Sequence, residues 1–336
     1  MKIIMDMFGG DNSPEAPLRG AALAASEYGV DILAVGDKAK MEQVCRDGKI
    51  DTSRFEFCDA PLVMPVCAEP TEAVKSYKDS SLTTSMRLLA EGRGDAMVGA
   101  GSTGAMVVAA TLVAKRLHGI KRAALATVLP SLSGQYMLLD LGANVECRPE
   151  MLVQFGLMGS IYMDKVMGVK DPKVALINIG AEETKGRELQ VEAYRLMKTA
   201  PYDFIGNIEP RDLPIGGCDV AVADGWTGNV VLKLTEGLGS AFGKMFKAML
   251  TKNAMTKLAA LTLHGGINDF KKRLDYTEAG GAPLLGIAKP VIKAHGSSNA
   301  KAFKNAVRQA KAFVDGDVNG TIARALADMN TEEADE

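Results

Sequence analysis

Apolar residues fall in short runs that each end on a polar, glycine-containing turn and give way to helical spacing. Lys2–Met5 predicts a buried strand ending at Asp6. The turn Met-Phe-Gly-Gly-Asp-Asn-Ser-Pro follows, then a helix over Glu15–Tyr28. Asp31–Gly36 and Phe55–Cys58 predict strands flanking a helix at Lys38–Arg46. Pro61–Pro70 reads as a loop, and a helix at Leu82–Glu91 delivers the chain to Asp95. From there Ala-Met-Val-Gly-Ala-Gly-Ser-Thr-Gly-Ala-Met-Val-Val reads as strand, anion loop and helix. Its glycines let the backbone turn tightly, and the N–H groups opening the helix are unpaired donors.

The alternation continues. Leu125–Leu129 and Tyr136–Asp140 are strand-like across Pro-Ser-Leu-Ser-Gly-Gln, either a hairpin or a turn between neighbouring strands. The loop from Leu141 to Glu150 precedes a helix reaching about Met167, with Pro149 suited to its start. Lys173–Ile179 is a strand, followed by Gly-Ala-Glu-Glu-Thr-Lys-Gly-Arg and a helix through Leu196. Strands near Phe204–Glu209 and Asp219–Ala223 come next, the second leading through Asp-Gly-Trp-Thr-Gly-Asn into a helix from about Val230. Such alternation predicts a doubly wound, mostly parallel sheet whose strand ends line one ligand crevice. Six polar glycine turns on one edge argue that something is bound there.

Residues 244–276 differ. Met245, Phe246, Met249, Leu250, Met255, Leu258, Leu261 and Leu263 alternate with lysines, then Gly265-Gly266 precedes Phe270-Lys-Lys-Arg-Leu. This reads as two helices broken at the glycines: a packed or dimer-interface hairpin, or an apolar tip touching a bilayer or an acyl chain. Tyr276–Gly286 and Val291–Ser298 are the last strand and loop motifs, before helices at Asn299–Val314 and Asn319–Met329. The expected organisation is one domain over 1–328 and an acidic, disordered tail at 329–336.

Composition narrows the function. With 336 residues, 47% of them hydrophobic, the chain can bury a large core. A net charge of -2 gives no general attraction for nucleic acid or anionic membrane, so any phosphate site must be local. Cys45, Cys58, Cys67, Cys147 and Cys218 lack metal spacing and a disulfide pattern, which together with the absence of a leader-like or membrane-spanning apolar run predicts a cytoplasmic protein. No metal site and no organic cofactor are expected.

Gly99, Gly101 and Gly104 formally match the dinucleotide fingerprint, and an NAD(P)-dependent oxidoreductase is one alternative. Yet no Asp or Glu follows between Gly104 and Leu139 to hold a ribose, and no P-loop motif occurs. Of three histidines, His295 stands out because Gly296-Ser297-Ser298 follows a strand directly. Lys185 and Lys233 are cations in or beside polar loops and suit phosphate, while Asp6, Asp11 and Asp224 are acids at strand ends that orient hydroxyls, take protons or cap helices.

Eight blocks in order resemble the phosphate acyltransferase family (PlsX): Met5–Pro14, Gly99–Ala105, Leu139–Asn144, Asn178–Gly186, Phe204–Glu209, Asp224–Asn229, Gly280–Gly286 and His295–Ser298. Ser102 replaces a frequent Asn, and Trp226 a usual Phe. The resemblance implies an α/β/α three-layer sandwich like those of phosphotransacetylases and isocitrate dehydrogenases. It implies a homodimer with the cleft near the subunit interface, and formation of acyl phosphate from long-chain acyl-acyl-carrier protein and inorganic phosphate for phospholipid synthesis. It also favours peripheral contact with the cytoplasmic membrane face or a membrane glycerol-phosphate acyltransferase. A non-catalytic acyl-carrier-protein scaffold is the other alternative. The expected catalytic residues are Lys185, Asp224, Asn229 and His295; phosphate and substrate would be held by Asp6, Gly10, Asp11, Gly101, Ser102, Thr103, Gly104, Asn144, Asn207, Gly225, Thr227, Gly228 and Ser297. Donors at 101–104 and 224–229 would hold the phosphate and the developing oxyanion, a device worth about 3–4 kcal/mol per donor.

Overall fold

A computed structural model describes residues 1–263, 265–266 and 280–335. Eleven strands form one sheet: β1 (Lys2–Asp6), β2 (Asp31–Gly36), β3 (Phe55–Asp59), β4 (Ala96–Gly99), β5 (Ala124–Ser131), β6 (Gly134–Leu139), β7 (Val174–Ile177), β8 (Phe204–Ile208), β9 (Val220–Val222), β10 (Ala282–Leu285) and β11 (Val291–Lys293). Their order across the sheet is β3-β2-β1-β4-β11-β10-β5-β6-β9-β7-β8. β3, β2, β1, β4 and β11 run parallel, as do β6, β9, β7 and β8. β10 is antiparallel to both its neighbours, and β5 and β6 form an antiparallel hairpin. Three successive antiparallel pairings leave the two parallel groups pointing in opposite directions.

Helices cover both faces, giving the three-layer α/β/α architecture. α1 (Glu15–Tyr28), α2 (Lys38–Gly48), α5 (Pro149–Lys165), α6 (Glu188–Met197), α9 (Ala300–Asp315) and α10 (Val318–Asp335) bury Leu18, Met41, Phe155, Met197, Phe303 and Ile322 against one face. The other face is covered by α3 (Ser81–Ala90) and α4 (Thr103–Ala109), which contribute Leu82, Met86, Ala105 and Met106. α7 (Gly225–Leu250) lays Val231 and Leu232 on that same core. Each fully buried large side chain contributes about 1.5–3 kcal/mol of transfer free energy. β1 and β4, apolar on both faces, lie inside the sheet and not at its edge.

Three boundaries depart from the sequence reading. α7 begins at Gly225 instead of Val230, because Asp224 is its N-cap and accepts from the Thr227 N–H, making Gly-Trp-Thr-Gly the first turn rather than loop. The 244–276 region is already broken at Thr251–Asn253, where Asn253 caps α8 (Ala254–Thr262), a helix that ends shortly before Gly265-Gly266; the helix expected around Phe270 lies outside the described residues. α10 continues to Asp335, through residues expected as a disordered tail, since no Gly or Pro after Gly320 interrupts it.

Candidate active site

The first cluster of loops leaves the carboxyl ends of β1, β4 and β11. Asp6 closes β1 with its side chain 1% exposed; Oδ1 accepts from the Phe8 N–H at 3.1 Å, and Oδ2 is buried without a hydrogen-bond partner. Burial raises its pKa above the ordinary 3.8, with the Ser81 hydroxyl and the Phe8 N–H pulling the other way. The Ser81 hydroxyl is near enough to act on the carboxyl electrostatically without making a well-formed bond to Oδ2. A Cβ on Gly9 would stand 2.7 Å from the Gly101 nitrogen and 2.8 Å from Asp6 Oδ2, so only glycine lets these loops meet. Asp6, Gly9, Ser81, Leu82, Gly101 and Ser102 line a small pocket there. Ser102 stands at the N-cap of α4 but makes no side-chain cap bond, and Thr103 opens the helix beside it.

The β11 loop closes on the same cluster. The Asp11 N–H donates to the Gly296 carbonyl at 2.8 Å, and Asn12 Nδ2 donates to the Ser297 and Ser298 carbonyls, each at 3.2 Å. A Cβ on Gly10 would come 2.9 Å from the Gly296 oxygen. His295 Nδ1 lies 2.8 Å from Ser297 Oγ and accepts from the Ser297 N–H at 3.3 Å. Gly104 serves packing instead: a Cβ there would sit 2.5 Å from Cγ of Pro70.

The second cluster leaves β6, β9 and β7. Its hub is Asp140, fully buried and unforeseen in the sequence. Oδ1 accepts from the backbone N–H groups of Leu125, Leu141 and Ala143, and Oδ2 from the backbone N–H and side-chain Nδ2 of Asn144. Asn144 Nδ2 also donates to the Ala123 carbonyl at 2.7 Å. Its amide protons are thus directed at the protein, making it a positioning residue for this loop rather than the phosphate ligand expected. Asp140 and its loop carry the first turn of α7: a Cβ on Gly225 would lie 2.5 Å from the Asn144 oxygen, and one on Gly228 only 1.9 Å from the Asp140 oxygen. These two glycines are needed for the approach of two backbones. Asn229, exposed, lies beside Gly142.

Asp224 is 3% exposed. Oδ1 accepts from the Thr227 N–H at 2.8 Å, while Oδ2 accepts from Thr227 Oγ1 at 2.9 Å and Arg187 Nη2 at 3.0 Å. A carboxylate so engaged is an anchor for Arg187 rather than a free base. Arg187 was missed in the sequence, although Lys185-Gly-Arg187 puts it in the same polar turn; Lys185 itself is exposed, its stem against Gly180. Asn207 Nδ2 donates to the Glu182 carbonyl at 2.9 Å, fixing that turn, and its Oδ1 is buried without a partner. Burial, with Asp140 nearby, pushes the Cys147 thiol up to about 12, so it is no nucleophile at neutral pH.

The six turns therefore do not share one edge. Because the two parallel groups run in opposite directions, Asp6, Gly101–Gly104 and His295 leave one strand-end edge, and Asn144, Lys185, Asp224 and Asn229 the other. His295 is separated from the other three expected catalytic residues by this reversal. α7 relates the clusters: capped by Asp224 in one, it carries Lys233 and Glu236, whose charges act on Lys293 at the end of β11 in the other.

Residues 1–321 match the family model described as "Fatty acid synthesis protein". The phosphate acyltransferase of Alkaliphilus oremlandii is 44% identical over 333 residues, covering 99% of both chains, and that of Clostridium acetobutylicum is 43% identical over 331 residues, covering 98% of this chain and all of the relative. Among solved structures, a phosphotransacetylase from Streptococcus pyogenes superposes with a TM-score of 0.66 at 18% identity, over 93% of this chain and 94% of its own. The EutD phosphotransacetylase of Staphylococcus aureus gives 0.61 at 18% identity, over 97% and 94%. These two share the fold.

Proposed function

The chain belongs to the phosphate acyltransferase family, and from that premise we propose that it moves a long acyl chain from acyl-acyl-carrier protein to inorganic phosphate, supplying acyl phosphate for phospholipid synthesis. An oxygen of hydrogen phosphate attacks the thioester carbonyl and a tetrahedral oxyanion forms. The C–S bond then breaks, and the proton that phosphate brought in ends on the carrier thiol. The catalytic power comes from holding two reactants in line and from donors aimed at the developing charge.

The observation that carries this reading is the pocket at Asp6. Burial disfavours the charged form of the Asp6 carboxyl, its Oδ2 is left without a partner, and Gly101, Ser81 and Ser102 line the pocket beside it. The hydroxyls of such a wall donate to phosphate oxygens, and the uncharged form of Asp6, the form that burial favours, adds a further donor. His295 and Ser297 stand on the β11 loop, which is bonded to the 10–12 turn next to that pocket, while Lys185 and the Arg187–Asp224 pair provide cations at the opposite loop cluster, where Asn229 and the first turn of α7 present further donors. Residues 1–328 act as one catalytic unit in this reading. The apolar stripe of α7 serves a homodimer, with α8 available for peripheral contact at the cytoplasmic membrane face; among the described residues no helix is long and apolar enough to cross a membrane.

The test mixes purified protein with long-chain acyl-acyl-carrier protein, with and without phosphate, and assays acyl phosphate and free carrier thiol. Parallel reactions use long-chain acyl-coenzyme A. Phosphate-dependent acyl phosphate from the carrier substrate supports the reading. Thioester loss with coenzyme A alone overturns the donor assignment, and no phosphate-dependent loss with either overturns the reaction.

A further inference from the structure

Lys293 closes β11, paired with Gly99 of β4 on one side and with Ala282 of β10 on the other. It shares the sheet face of Val291, the side on which α7 lays Val231 and Leu232, and it is half-buried there. Its ammonium has three protons to give, and among the described residues its one hydrogen bond is to the Ala294 carbonyl at 3.3 Å. Among the described residues it has no ion pair. The nearest charges come from α7: Lys233, which repels it, and Glu236, which already binds Lys233 Nζ at 2.8 Å.

A half-buried ammonium with no ion pair among the described residues, and with a second lysine as a charged neighbour, favours an anion beside it. Across its partner Gly99 lies Asp6, whose Cβ would stand 3.3 Å from a Cβ on that glycine, so Lys293 and Asp6 flank the strand end that continues to Gly101 in the wall of the Asp6 pocket. We propose that Lys293, with Lys233 as its second wall, binds the phosphoryl substrate and sets it between the two loop clusters. Burial, with Lys233 adding to it, holds the Lys293 ammonium below its ordinary 10.5, and a phosphate dianion beside it acts the other way, favouring the charged form. The inference rests on phosphate being a substrate and not on which acyl donor is used.

The test titrates inorganic phosphate, without any acyl donor, into the wild type, Lys293→Met, Lys293→Arg and Lys233→Met, followed by calorimetry and by phosphate-dependent rise in Tm. Losing one charged hydrogen-bond donor predicts weakening by about ten-fold or more for Lys293→Met, several-fold for Lys233→Met, and partial retention in Lys293→Arg. A purely structural lysine would lower Tm when replaced by methionine; a ligand-binding one, relieved of an unpaired charge, leaves Tm unchanged or raised while phosphate binding is lost. Wild-type phosphate affinity in Lys293→Met overturns the proposal. Should that variant not fold, wild-type affinity in the surface variant Lys233→Met overturns it equally. In the turnover assay, with whichever thioester proves active, the KM for phosphate rises and that for the acyl donor does not.

Discussion

Arg187 reaches from the turn after β7 to place Nη2 3.0 Å from Oδ2 of Asp224, joining two strand ends through one charge-assisted bond. The carboxylate is buried and the guanidinium mostly exposed, so the pair directs a cation outward from a fixed base. Replacing Asp224 by Ala removes the α7 cap and costs about 1–2 kcal/mol, whereas Asn keeps the acceptor for the Thr227 N–H and costs less. Arg187→Met, at an exposed site, changes stability by under about 1 kcal/mol but lowers turnover about ten-fold. Denaturant melts and acyl phosphate assays on the three variants check this; full activity in Arg187→Met removes the pair from the site.

Asp6 gives a pH signature. Its folded pKa is raised, so between 3.8 and that raised value the native state holds a proton that the unfolded chain releases. Stability from this group is present below 3.8 and is lost as pH rises through the folded pKa. Asp6→Asn, which keeps a donor at the pocket and cannot ionise, escapes that loss. The Tm difference, variant minus wild type, is therefore expected to grow from about pH 4 upward and then level off. Melting curves across pH decide it, and a flat difference means Asp6 titrates normally in the fold.

The contrast between these residues shows what the chain discloses. Asp6, Gly101 and Ser102 were legible because a strand, a glycine turn and a helix follow one another locally. Asp140 was not, because its work is to gather five donors, four from Leu141, Ala143 and Asn144 in its own loop and one from Leu125 on β5, and nothing in Leu-Asp-Leu-Gly distinguishes such a hub from a ligand. The helix start at Gly225 was hidden by two glycines that read as loop but exist for backbone contact with Asn144 and Asp140. The direction of the second parallel group was hidden too: β10 offers only Ala-Pro-Leu-Leu, and a run that short carries no sign of which way it pairs.

Gly228 and Gly104 separate backbone contact from side-chain contact. An alanine Cβ at 228 would fall 1.9 Å from the Asp140 carbonyl oxygen, where neither partner can withdraw without lifting α7 off the 140–144 loop. Gly228→Ala is expected to lose about 2 kcal/mol or more and most activity. At 104 the obstacle is Cγ of Pro70, on a short 3-10 turn that can shift. Gly104→Ala also gains about 0.5–1 kcal/mol of helix propensity, so its net effect stays within about 1 kcal/mol. Thermal melts rank the two; equal losses would mean the 140–144 loop yields as readily as the Pro70 turn.

Along α7, Trp226, Val230, Leu234, Leu238, Phe242, Met245 and Met249 are all exposed and recur at intervals of three or four, so they share one face of a 26-residue helix. A stripe this long on one monomer calls for a cover, and a second copy of α7 fits the symmetry of such a face. Phe242→Glu and Leu238→Glu place charges in its middle. Both sites are exposed in the single chain, so the fold should survive with Tm changes of a few degrees at most. Sedimentation velocity is expected to give a dimer for the wild type and monomers for both variants at micromolar concentration. A monomeric wild type removes the second copy as the cover, and flotation with anionic vesicles then asks whether lipid takes its place.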